Sequence, residues 1–325
     1  MNRTTKVALL GGVGVGKTSC LVTMLDYLKS DFFKNLNLQL VMESATSQLM
    51  MENKARLVKS LDKGVLENKD GIYPTTELTT YEVAIGKRGQ EFPLPINVEF
   101  LDYPGEWISS TEEDRNKVIG IVSNSDVVII PVDAASLMEN EKDRQSDHIL
   151  EILEESFNNL TEPKLVLFVP VKAEKYYDDE SSRLNNKSYY NLLKGVQEKF
   201  EDVIIFLTSQ AIKRYISIAI TPIQTLGSSK LFYFNNTEEE GVLPVFVVTH
   251  RGVFAPKHVD QPLIFLISFI LKRNYIDNRS GFLGVFKRLM DKSSYLNEAA
   301  DELTTKLSYK NGGIKVLQNS VVSNF

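Results

Sequence analysis

The eight residues from Gly11 to Thr18, GGVGVGKT, constrain this 325-residue chain more than any other part of it. The pattern works only between a strand and a helix. Its flanks comply: Lys6 to Leu10 is a short apolar run, and Leu21, Met24, Leu25 and Leu28 then recur at helical spacing. Gly11, Gly14 and Gly16 let the backbone turn so that successive N–H groups face inward at phosphate oxygens. The helix beginning near Lys17 adds its N-terminal dipole. Lys17 is placed to reach β- and γ-phosphates and the Thr18 hydroxyl to ligate Mg²⁺, with Val15 and Ser19 in the same cradle. The segment reads as a P-loop for a nucleoside triphosphate.

The surrounding pattern predicts an α/β chain of the P-loop NTPase kind, three layers deep around a mostly parallel sheet. DVVIIPV (126–132) and KLVLFV (164–169) are unbroken apolar runs, as strands covered on both faces require. LQLVM (38–42), Tyr81 to Ile85, Val98 to Leu101 and Ile216 to Ile220 are further strands, and His148 to Phe157 is a helix. Across 189–212, Leu193, Val196, Phe200, Val203 and Leu207 step by three and four, which predicts one long helix. LFYF and VFVVTH flank the acidic turn NNTEEEG, predicting an antiparallel addition to the sheet. Pro262 to Arg273 reads as a closing core helix. Residues 1–275 are expected to form the nucleotide domain with insertions. Residues 276–325 are expected to be a helical tail, packed on that domain or extending from it, with an amphipathic piece, GFLGVFKRLM, and a frayed end.

Asp102 closes the strand VEFLD and precedes YPGEW. A carboxylate at the C-terminal end of a strand beside a P-loop stands where a Mg²⁺ shell needs one. Gly105, without a Cβ, can bring its N–H to a γ-phosphate. A strand-ending Asp is otherwise an ordinary turn residue; its order after the P-loop favours the site reading.

P-loop, then a Pro-Thr-Thr loop, then DYPGEW resembles the TRAFAC-type GTPases, and within them the bacterial YcjX-like branch. The resemblance runs motif by motif over roughly residues 5 to 175. It implies a switch threonine that meets Mg²⁺, for which Thr76 is taken, with Thr75, Thr79 and Thr80 as alternatives. The metal set is then Thr18, Thr76 and Asp102, and the catalytic set Lys17, Thr76 and Glu106. After the strand KLVLFVP comes Val171-Lys172-Ala173-Glu174, where these GTPases carry Asn-Lys-x-Asp. Lys172 is expected along the base, and Glu174 as acceptor for guanine N1–H and the exocyclic amine, donors that adenine lacks. GTP or GDP is therefore expected over ATP. The second base loop is expected in Thr221 to Gly227. Glu106 stands where many small GTPases carry a water-orienting Gln, and its negative charge implies slow hydrolysis.

Three readings of the whole follow: a slow GTPase switch, a non-hydrolysing nucleotide-binding interaction module, and a P-loop small-molecule kinase. The kinase is disfavoured because 138–150 holds one arginine, Arg144, and the Lys-x-Glu pair has no task there. Loops 65–80 and 103–125 are the expected moving surfaces for a protein partner, Trp107 among them, and a dimer is compatible with them. The net charge of −5 excludes a broad basic surface for nucleic acid. The single cysteine, Cys20, excludes an internal disulfide. No signal-like N-terminus is read, and the longest apolar run, Pro262 to Leu271, is about half of a membrane span of roughly 20 residues. A cytoplasmic protein is expected. His148, His250 and His258 share no metal-ligand spacing.

Overall fold

In the computed structural model the described residues are 4–33, 36–67, 70–91, 94–139, 145–176, 187–237, 241–279, 294–307, 313–323 and 325. The main sheet has eight strands: β1 (Thr4–Leu9), β2 (Leu38–Met42), β4 (Thr79–Lys87), β5 (Ile96–Asp102), β6 (Val127–Asp133), β7 (Lys164–Val171), β8 (Ile216–Ile220) and β11 (Lys315–Gln318). Their order is β11-β8-β7-β6-β1-β5-β4-β2. The five strands from β8 to β5 run parallel, and β11, β4 and β2 add antiparallel at the two edges.

Side chains of the parallel strands alternate between two cores. Val7, Val127, Ile129, Leu165 and Leu167 face one side, and Ala8, Val128, Ile130, Val166 and Phe168 the other, all fully buried. The first core is closed by α1 (Lys17–Tyr27), α2 (Ser44–Ser60) and α8 (Asp260–Arg279). The second is closed by α3 (Glu112–Ser123), α5 (Gln145–Phe157), α6 (Lys187–Lys199) and α7 (Glu201–Leu207). This is the expected three-layer α/β architecture. A short α4 (Ala134–Glu139) follows β6.

Three elements differ from expectation. The helix over 189–212 is two helices, α6 and α7. They break at Phe200, whose ψ of 26° leaves the helical region while its side chain stays buried against Phe168, with ring centroids 5.3 Å apart. The strands Ser229–Thr237 (β9) and Gly241–Val248 (β10) do not extend the main sheet. They pair with a two-residue strand, Val65–Leu66 (β3), in a separate sheet of order β3-β10-β9. Finally, the tail packs on the core, one of the two expected arrangements, but its end carries a strand where fraying was expected. α9 (Ser294–Thr304) buries Leu296, Ala299, Ala300 and Leu303 beside α8, and β11 pairs with β8. Gln318 donates to the carbonyls of Lys213 (2.9 Å) and Ile216 (2.8 Å), and Phe325 meets Phe265 edge-on at 4.8 Å. The piece GFLGVFKRLM lies outside the described residues. Among the described residues, no helix is long and apolar enough to cross a membrane.

At the opposite end of the strands from the site, buried Arg273 of α8 pairs with Asp126 at 3.1 Å and with Glu162, tying α8 to the starts of β6 and β7.

Candidate functional site

The segments that follow the parallel strands meet at the carboxyl ends of those strands, where open α/β sheets place ligands. The P-loop follows β1, the Asp102 turn follows β5, Asp133 ends β6, Lys172 and Glu174 follow β7, and Thr221–Gly227 follows β8. A cavity of about 530 Å³ runs between them.

At one end lies the P-loop. Gly14 (φ 71°) and Gly16 (φ 102°) adopt the left-handed backbone that the sequence assigned to glycine. Gly16 caps α1 without a side chain over the helix end, so the first-turn N–H groups stay directed at the cavity. Lys17 is buried and donates to the carbonyls of Gly11 (2.9 Å) and Gly12 (3.2 Å). Burial lowers its pKa, against the opposing pull of the Asp102 and Glu106 carboxylates. Val15 packs beneath the loop and Ser19 lines the cavity.

Asp102 is 1% exposed. Its Oδ2 accepts from Thr18 (2.6 Å) and from Thr75 (3.2 Å), and the two hydroxyls lie 3.1 Å apart. Its Oδ1 is buried with no hydrogen-bond partner. Burial pushes the Asp102 carboxyl up, although the Thr18 bond, Lys17 and the Thr75 bond all hold it down. Two hydroxyls and a carboxylate with one oxygen unpartnered form the hard oxygen set that suits Mg²⁺. Thr75, not Thr76, reaches this cluster. Thr76, one residue further along the loop, is exposed. Thr79 and Thr80 are held in β4, with Thr79 opposite Asp102 in the ladder.

Gly105 sits hard against the P-loop. A Cβ there would stand 2.6 Å from Gly12 C and Val13 N, so no other residue fits without moving that backbone. Glu106 follows on a 3₁₀ turn, Gly105–Ile108, exposed and lining the cavity. Tyr103, fully buried, stacks on Trp107 with centroids 6.2 Å apart and planes 13° apart, and the Lys17 ammonium lies 5.5 Å from its ring.

The other end is built from side chains. Lys172 adopts φ 55°, a conformation that costs a non-glycine residue about 1–3 kcal/mol. That turn sends its ammonium back to the Gly14 carbonyl (2.8 Å) and the Asp133 carboxylate (2.5 Å). Asp133 in turn caps α4 through the N–H groups of Ala135 (3.0 Å) and Ser136 (3.1 Å). Glu174 is buried, and its Oε1 accepts from the N–H groups of Leu226 (2.9 Å) and Gly227 (3.1 Å). Burial raises its pKa, against those backbone donors and Lys172. The loop expected to complete the base site, 221–227, is therefore brought to Glu174. Gly227 (φ 72°) is fixed there because a Cβ would overlap the Ala255 carbonyl.

The histidines stay apart. His148 lines a smaller cavity of about 340 Å³ on the other flank of the P-loop, while His250 is exposed at a strand end. Among the described residues no group of three or more His, Cys, Asp or Glu forms a further metal site. Sequence reasoning passed over Asp133, Tyr103 and the wall from the small sheet. Asp133 carried a usable signal, since it closes an apolar strand just as Asp102 does. The other two arise from tertiary packing.

The P-loop after β1, with the Asp102 turn on neighbouring β5 and the loops after β7 and β8 converging on the same cavity, is the arrangement of a P-loop GTPase, a GTP-binding protein. The chain belongs to the Double-GTPase 2 family, whose sequence model matches residues 5–225. No curated protein matches the chain. Among solved structures it is similar to an ADP-ribosylation-factor-like GTP-binding protein (small COPII coat GTPase SAR1) of Encephalitozoon cuniculi in complex with GDP. The identity is 13%, with 62% of each chain covered and a TM-score of 0.29. It is also similar to Toc33 of Arabidopsis thaliana in complex with Mg²⁺ and GMPPNP, at 15% identity, with 70% of this chain and 72% of that one covered and a TM-score of 0.33.

Proposed function

We propose that this chain is a Mg²⁺-dependent guanine-nucleotide switch that hydrolyses GTP slowly. The observation that carries it is Asp102, buried, with Oδ2 shared by the Thr18 and Thr75 hydroxyls and Oδ1 unpartnered. Bound there, Mg²⁺ supplies charge neutralisation to the β- and γ-phosphates. Lys17 exchanges its Gly11 and Gly12 carbonyls for phosphate oxygens, and the Gly105 N–H turns to the γ-phosphate. Thr75 links the 70–76 loop to the same cluster, so loss of the γ-phosphate frees that loop. Glu106 orients water, and its negative charge beside the phosphates keeps turnover slow. At the base, Lys172 and Glu174 favour guanine. Calorimetric titration with GTP, GDP and ATP, with Mg²⁺ and with EDTA, tests the reading. Equal GTP and ATP affinities would overturn the guanine part, and a GTP affinity indifferent to EDTA the metal part.

A second reading is a non-hydrolysing interaction module. It is favoured by a carboxylate, Glu106, in the water-orienting position. Multiple-turnover phosphate release from the parent and from Glu106→Ala separates the two: a parent already at background supports the module.

The same proposal places the protein in the cytoplasm, with segments 65–80 and 103–125, the second of which includes α3, meeting a protein partner or a second copy. It treats 1–275 as the nucleotide domain with the 276–325 segment packed on it. DYPGEW supports kinship with the YcjX-like branch.

A further inference from the structure

The family match ends at residue 225, and two of the three strands of the small sheet, β9 and β10, begin after it, at Ser229. That sheet is not a remote appendage. Pro244 and Phe246, two residues apart on one face of β10, line the large cavity at the end where Lys172 and Glu174 stand, with Leu66 of β3 and Leu226 beside them. The Phe246 ring centroid lies 6.0 Å from the Lys172 ammonium. Phe246 is held in that place from both sides, paired with Leu66 on β3 and with Leu231 on β9. Opposite it, β9 skips one residue: Val245 pairs with Tyr233 and Phe246 with Leu231, so Phe232 is a bulge. Bulges of this kind re-aim side chains and recur beside ligand sites.

We propose that Phe246 is the aromatic platform on which the nucleotide base stacks, so that the small sheet supplies the base wall of this site. The inference rests on the nucleotide-binding reading above but adds to it a residue from outside the matched region. Three features carry it. An apolar wall of Phe246, Pro244, Leu66 and Leu226 at this end suits the flat faces of a purine and nothing about a phosphate. Glu174 Oε1, the expected base acceptor, is already committed to the 221–227 loop, which leaves more of base recognition to stacking. Lys172, pinned to Gly14 and Asp133, holds its ammonium 6.0 Å from the Phe246 ring centroid, so the ring stands at the same end of the cavity as the residue expected along the base. Stacking is tolerant of base identity, because every base has a π-face.

The test compares ligands that share a triphosphate and differ in the base. Affinities of the full chain for GTP, ATP and ribose 5-triphosphate in Mg²⁺ are measured by calorimetry, directly or by competition, for the parent and for Phe246→Ala, Phe246→Leu and Phe246→Tyr. Phe246→Ala is expected to weaken GTP about 10-fold and to leave ribose 5-triphosphate unchanged. Phe246→Tyr restores GTP, and Phe246→Leu, which keeps an apolar side chain of similar reach, falls between. Should Phe246→Ala fail to fold, the Leu and Tyr variants carry the same comparison. An unchanged GTP affinity, or an equal loss for GTP and ribose 5-triphosphate, overturns the platform. Equal parent affinities for GTP and ATP would sink the guanine reading while leaving this one standing, and a parent that binds neither nucleotide sinks both.

Discussion

The two ends of the nucleotide cleft are made in different ways. The phosphate end is one octapeptide and one turn: Gly11 to Thr18, with Asp102 to Gly105 pressed against it. Much of its chemistry is backbone N–H and carbonyl groups, fixed by glycines at φ values other residues avoid. The base end gathers side chains from Leu66, Lys172, Glu174, Leu226 and Phe246, residues up to 180 positions apart in the chain. A backbone site admits few alternatives, because a change in one residue displaces the chain for all of them. A side-chain site is tunable one residue at a time. Damage at the first end should be indiscriminate among ligands, and damage at the second selective.

Variants can break or sharpen that contrast. Lys17→Ala should have the largest effect, about 100-fold weaker binding of GTP, GDP and ribose 5-triphosphate alike, since it removes a buried charge-assisted contact. Calorimetry across the three ligands checks it; selective loss would contradict a phosphate role. Gly105→Ala should come next, weakening every ligand and lowering the melting temperature together, because its Cβ must push the Gly12–Val13 backbone aside.

Asp102→Asn should abolish the Mg²⁺ dependence of GTP binding yet stabilise the ligand-free protein near neutral pH. The sign follows from burial. A carboxyl whose folded pKa is raised gives its full stability below the unfolded value of about 3.9 and loses it as pH rises through the folded value. Asn carries no such penalty. Thermal melts from pH 4 to 8 should therefore show the variant ahead at pH 7 and the gap closing toward pH 4; a constant gap would refute the burial argument.

Glu174→Ala should weaken GTP about 10-fold through release of the Leu226 and Gly227 amides, with Glu174→Gln retaining much of the affinity. Arg273→Ala should leave affinities unchanged while costing about 3 kcal/mol of stability in denaturant unfolding, because it removes the guanidinium paired with the buried Asp126 carboxylate.

The same contrast explains what the sequence made legible. The P-loop, the Asp102 turn, the parallel core strands and the helices flanking them could be read because each rests on local spacing or on periodicity. Which threonine meets Asp102 could not. Thr75 and Thr76 are chemically identical neighbours, and only the path of the loop decides which hydroxyl faces Asp102. The break at Phe200 was hidden because Val196, Phe200, Val203 and Leu207 keep one buried face across it. The separate sheet of β9 and β10 was hidden because their partner, β3, is two residues long. Strand β11 also escaped notice, since a four-residue edge strand draws its order from β8 rather than from any pattern of its own.

Trp107 is the chain's only tryptophan, and it stacks on the ring that lies under the P-loop lysine. The Lys117 ammonium lies 5.3 Å from its own ring. The molecule thus carries a single built-in tryptophan probe beside the P-loop, within the turn proposed above to meet the γ-phosphate. Its emission should change when nucleotide enters and again when phosphate leaves, giving a label-free clock for exchange and turnover in the unmodified protein.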